Sequence, residues 1–196
     1  LQEIRVSHHF CQSDRGRRAA LPHAKQAALG VLILGSLLAG CAGDNNPPPA
    51  QPAFYQSMAR ADARIDGPTA ASMISGYRQN NGLGGISVDP ALMALAQQQA
   101  QAMATRDKLD HNVIKPLTQR IKASGYPAAM AVENVSAGYH TLAEAFSGWR
   151  DSPPHRANML AKGATRMGIA TAYAPGSKYK VFWALILAAP DGAPRE

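Results

Sequence analysis

The chain has 196 residues, a formal net charge of +7 and 46% hydrophobic residues. That length suits one domain with enough aliphatic and alanine content to close a modest core. It holds no run of the ~20 apolar residues that a membrane-spanning helix needs, and no basic stripe of the kind that binds nucleic acid.

The longest apolar run, residues 27–40 (AALGVLILGSLLAG), follows Arg15, Arg17, Arg18 and Lys25 and ends at Cys41. Its length and basic flank read as an export signal. Leu38-Ala39-Gly40-Cys41 resembles the lipobox of bacterial lipoproteins, in which the thiol is joined to diacylglycerol before cleavage. Residues 1–40 therefore read as a signal region and Cys41 as the lipid-attachment residue. Several acyl chains hold a protein to a bilayer far better than one. Ala42, in place of Asp, points by the same resemblance to the outer membrane of a Gram-negative bacterium. Residues 1–20, with His8, His9 and Cys11, fit this poorly and are expected to be an over-extended start, the signal beginning near Leu21. These residues and His23 are left out of any site. Past Cys41, fifteen basic residues face eleven acidic ones, a net charge of +4. No cysteine follows Cys41, which excludes a disulfide or a thiolate metal site in the expected mature domain.

Gly43 to Ala53 (GDNNPPPAQPA) is polar and proline-rich, the composition of an extended tether. A short helix is expected from Ala53 to Arg64 and is broken at Asp66-Gly67-Pro68, where the folded domain is placed: tether 41–65, domain 66–190, tail 191–196. Met73, Ile74 and Tyr77 share one face of a helix over 69–81, with a stop at Asn80-Asn81-Gly82. Asp89-Pro90 caps a second helix that runs to Arg106, with the glutamines at 97–99 and 101 on its solvated face. A third helix is expected over 116–124. A strand follows over 131–138, and the capping box Thr141-Leu142-Ala143-Glu144 starts a fourth helix that ends before Pro153. Runs at 166–174 and 178–188, joined by Pro175-Gly176-Ser177, read as an antiparallel hairpin. Helices first and strands last exclude regular β-α alternation and point to an α+β fold, a small antiparallel sheet covered by helices.

Three histidines lie beyond the signal: His111, His140 and His155. Glu144 is accounted for by the capping box, and His140 beside it reads as a loop residue. Glu133 sits among small and apolar residues, where an unpaired carboxylate is costly. It calls for a histidine, a metal or a backbone cap as partner. His111 suits the C-terminal end of the second helix as an imidazolium, or a site. His155, after Pro153-Pro154, is either a polar residue in a stiff turn or a rigidly placed ligand. No HExxH, CxxC, GxSxG or P-loop pattern occurs.

In order, ALMALAQQQAQAMATRDKLDH, IKASGY, ENVSAGYHTLAEAFSGWRDSPPHRANML and MGIATAY with KYKVFWALIL resemble the CAP superfamily of cysteine-rich secretory, antigen 5 and pathogenesis-related 1 proteins, in its short bacterial branch. The resemblance spans residues 66–189. It implies a three-layer α-β-α sandwich with a small central antiparallel sheet and a cleft walled by His111, Glu133 and His155. Those three are the implied metal ligands, for Zn²⁺ or another divalent ion. Ser152 stands where eukaryotic members carry a second cleft glutamate. The implied function is a membrane-anchored domain whose cleft binds a metal ion or small ligand in the cell envelope. A hydrolase with Glu133 as general base and a structural module for an envelope partner are the alternatives.

Overall fold

The structure is a computed structural model that describes residues 50–192. The expected signal region, Cys41, most of the tether and residues 193–196 lie outside the described residues. Among the described residues no helix is long and apolar enough to cross a membrane.

Two helices open on the same chemistry. Asp66 accepts the Thr69 N–H at 2.9 Å to start α1 (Gly67–Gln79), and Asp89 accepts those of Ala91 and Leu92 at 2.9 and 3.1 Å to start α2 (Pro90–Arg106). A proline in each first turn removes an N–H that has no helical partner there. Helix α3 (Leu117–Ser124) stops at Gly125, whose φ of 70° is the left-handed conformation that glycine adopts freely. The capping box forms as read: Thr141 and Glu144 exchange bonds of 3.0 and 3.2 Å to open α4 (Leu142–Asp151).

Two expectations fail. The helix over 53–64 is a single 3-10 turn at Ala53–Tyr55, yet the segment is no free tether: Met58 is buried, and Phe54, Ala63 and Ile65 pack on the core. The folded unit thus reaches further toward the N terminus than Asp66. Residues 153–159, read as a stiff turn, are a further helix, α5 (Pro153–Met159), with prolines in its first turn.

The strands are β1 (Ser87–Val88), β2 (Ala128–Ala137), β3 (Arg166–Ala174) and β4 (Lys180–Pro190), in the order β1-β3-β4-β2. The β3–β4 hairpin and the β2–β4 pair are antiparallel, and only the two-residue β1, unforeseen in the sequence, pairs parallel to β3. Strand β4 is central and buried from Val181 to Ala189. Its unbroken apolar run is the mark of a strand covered on both faces. Val181, Trp183, Leu185 and Leu187 face the core built with α1, α4 and α5, whereas Phe182, Ala184, Ile186 and Ala188 face the one built with α2 and α3. The result is the α-β-α sandwich, an α+β fold.

The two faces are packed differently. On one, Trp149 of α4 meets Trp183 edge to face at 6.3 Å. On the other, α2 lies so close that a Cβ at Gly168 would stand 2.1 Å from the Leu92 carbonyl carbon. The Arg78 guanidinium, wholly buried, donates to the carbonyls of Met159, Ala161 and Ala164 at 2.9–3.0 Å and fastens the α5–β3 connection to the end of α1.

Candidate functional site

His111 lies in the connection after α2, which leaves the helix through Asp107 at φ 46°. Its backbone is anchored by Gln99, whose Nε2 donates to the carbonyls of Asp110 at 2.8 Å and His111 at 3.2 Å. Gln99 is therefore the exception to the solvated glutamine face: its side chain is fully buried, while Gln97, Gln98 and Gln101 are exposed. A polar side chain is tolerated at that depth because it satisfies loop carbonyls that would otherwise lack donors.

Glu133 projects from the middle of β2, opposite Ile186. Its partner is a cation that the sequence reading did not weigh. Arg120 of α3 places Nη2 2.5 Å from Glu133 Oε1, and the two side chains are only 4% and 2% exposed. Arg120 also donates from Nε to the Lys115 carbonyl at 3.1 Å. The other carboxylate oxygen, Oε2, is 3.0 Å from His111 Nδ1. Burial of the carboxylate is thus offset by a charge-assisted bond on each oxygen.

In this geometry Glu133, one of the three implied ligands, is engaged by Arg120 and His111. Among the described residues no three His, Cys, Asp or Glu side chains are placed to share one ion. Glu133 has both oxygens committed, so it stands behind His111 rather than beside it. A carboxylate at Nδ1 fixes the proton on that nitrogen and leaves Nε2 for a ligand, the outer-shell role that carboxylates play at histidine metal sites. Of the three implied ligands, Glu133 thus orients His111.

His155 lies in the first turn of α5. Helix α5 is bound to β2 by asparagines: Asn134 donates to the His155 carbonyl at 3.0 Å, and Asn158 donates to the Glu133 carbonyl and to Asn134 Oδ1, both at 2.9 Å. Glu133 and Asn134 are adjacent on β2 and point to opposite faces of the strand, so each holds a different element. Glu133 reaches His111, and Asn134 reaches the helix of His155. The His155 ring is half-buried and makes no hydrogen bond with a described residue. Ser152 is the N-cap position of α5 and provides no side-chain cap. His140 is the loop residue expected, its N–H donating to Glu144 and its carbonyl accepting from Met58.

The two imidazoles differ in proton affinity. The hydrogen bond to Glu133, helped by its charge, raises the His111 pKa above 6.5 against burial and the Arg120 charge. Burial first, and then the His111 charge, lowers that of His155 below 6.5. His111 therefore holds its proton more tightly than His155 does.

The family model described as CAP, cysteine-rich secretory protein family, matches residues 71–187. No curated protein matches the chain. Among solved structures, an extracellular SCP-domain protein of Bacillus anthracis is 19% identical, with a TM-score of 0.55 over 62% of this chain and 39% of its own. An outer surface protein of Borrelia burgdorferi is 16% identical, with a TM-score of 0.58 over 66% of this chain and 98% of its own. A cysteine-rich secretory protein of Staphylococcus aureus is 14% identical, with a TM-score of 0.52 over 62% and 37% of the two chains. This chain therefore spans well under half of the Bacillus and Staphylococcus proteins, and at these identities the likeness is one of fold.

Proposed function

The chain belongs to the cysteine-rich secretory protein (CAP) family, and on that premise we propose that it is an exported binding protein, lipid-anchored through Cys41, whose two-histidine cleft holds a small ligand of the cell envelope. A divalent ion such as Zn²⁺ is the first such ligand, held by His111 Nε2 and a ring nitrogen of His155 with solvent completing its shell. One observation carries this reading: Glu133, fixed by Arg120, grips Nδ1 of His111 at 3.0 Å and leaves the other nitrogen for a ligand. A purely structural role accounts for Glu133 and His111 but not for His155, whose ring is bonded to no described residue. Direct general-base chemistry is poorly served, because the Glu133 side chain is 2% exposed with both oxygens engaged.

Calorimetric titration of the purified protein with Zn²⁺ tests the reading. The wild type should give a binding heat that His111→Ala and His155→Ala each remove, while Glu133→Gln weakens binding by about 10–100-fold, as loss of an outer-shell partner does. Equal heats in the wild type and both histidine variants would sink the metal reading.

A further inference from the structure

A separate feature lies along the outer edge of β3. Strand β1 pairs with β3 at Ser87↔Arg166 and Val88↔Met167 and no further, because Asp89 then caps α2 and the chain turns away. The Met167 carbonyl accepts the Asp89 N–H at 2.8 Å, so the odd-numbered residues of β3 turn their backbone groups outward, away from β4. Beyond Met167 no described strand takes them. Two side chains of α2 stand in: Met93 Sδ accepts the Ile169 N–H at 3.1 Å, and Gln97 donates to the Thr171 carbonyl at 3.3 Å. The first is made to a weak sulfur acceptor and the second is long. The remaining outward groups of residues 169, 171 and 173 are an open edge of the kind that recruits another strand.

This edge is the floor of a cleft of about 760 Å³, bordered by α2 on one side and by residues 58–65 on the other. Arg60 and Arg64 line it, and no carboxylate does. Asp62, outside the lining, is the only carboxylate paired with either arginine among the described residues, at 3.6 Å from Arg60 and with both side chains largely exposed.

We propose that this cleft binds an extended acidic segment of a partner protein, which adds as a strand to β3 and continues the row that β1 begins. Main-chain bonds to residues 169–173 supply affinity, and alternate side chains of the segment supply specificity. One row meets Arg60 and Arg64 and is acidic. The other meets Met93, Gln97 and Gln101 and is uncharged. Proline is excluded at the alternate positions of the segment whose N–H meets an outward carbonyl of β3.

The test is selection of random heptapeptides from a bead-bound library by the full chain in mild detergent, followed by hydrogen exchange on the complex. Selected peptides should be rich in Asp and Glu and poor in Pro, and at saturation should slow exchange of the Thr171 and Tyr173 amides at least tenfold. The double variant Arg60→Glu, Arg64→Glu should bind them at least tenfold more weakly. Both arginines sit on an irregular surface segment, and an unchanged melting temperature confirms that the variant folds. Failure to select any peptide, selection without acidic bias, or binding that leaves the Thr171 and Tyr173 amides unprotected overturns the proposal.

Discussion

His111 and His155 titrate on opposite sides of 6.5, and the sign of each shift fixes how folding responds to pH. His111 binds its proton more tightly when folded, so its contribution is complete below pH 6.5 and is lost as pH rises through its raised folded value. His155 binds its proton less tightly when folded, so its contribution is complete above pH 6.5 and is lost as pH falls toward its depressed folded value. The pair together favours stability near pH 6.5. Denaturant titrations across pH should show the wild-type advantage over His111→Gln shrinking above that point, and the advantage over His155→Gln shrinking below it. Curves that stay parallel at all pH values would contradict both assignments. At this scale the sequence was legible in its demands but not in their answers. Glu133 among apolar neighbours announces that a buried carboxylate needs a partner. That the partner is Arg120 cannot be read locally, because the contact forms only when α3 docks on β2. Gln99 was misread for the same reason: its neighbours in the run are exposed, and only the path of the 107–111 connection gives its amide two carbonyls to serve.

At the scale of the element, caps were the most legible signals, since Asp66, Asp89 and Thr141 act within three residues of themselves. Glycines carry a subtler message, because their meaning lies in the neighbour. A methyl group at Gly168 would meet α2 backbone at 2.1 Å, whereas one at Gly76 in α1 meets nothing within 4 Å. Gly168→Ala must lift α2 from the sheet and should cost about 3 kcal/mol, the upper end of overpacking penalties. Gly76→Ala should gain roughly 0.5–1 kcal/mol from helix propensity. Chemical denaturation of the two variants checks both signs, and a neutral Gly168→Ala would refute the close approach of helix and strand. The third proline-led helix, α5, is hidden in the pattern because Pro153-Pro154 stops α4 and starts a helix in the same two residues. The residue before a proline resists the helical conformation, but a proline in a first turn favours it, and the pattern alone does not say which effect governs the residues that follow.

For the whole molecule, the layer order follows from one run of residues. A strand whose successive side chains are all apolar needs cover on both sides, and VFWALIL within KYKVFWALIL is the stretch of the chain that most plainly makes this demand. The short parallel strand β1 escaped notice, since two residues carry no periodicity. The proposed anchor belongs to this scale as well. Cell fractionation should find the wild type in the membrane pellet and labelled by radioactive palmitate, and Cys41→Ser in the soluble exported fraction without label. Unlabelled wild type, or membrane association that survives the Cys41→Ser change, would refute lipidation.

The central position of β4 also sets an order of events. Strands β2 and β3 do not touch each other; each pairs with β4, and both hydrophobic layers close on its two faces. Residues 180–190 are the last element of the described fold, so a growing chain has its helices and flanking strands in hand but no sheet for them to cover. Its native core is unavailable until β4 has been made. A polypeptide built in this way stays open until that strand emerges, the condition in which a chain can be threaded through a translocation pore.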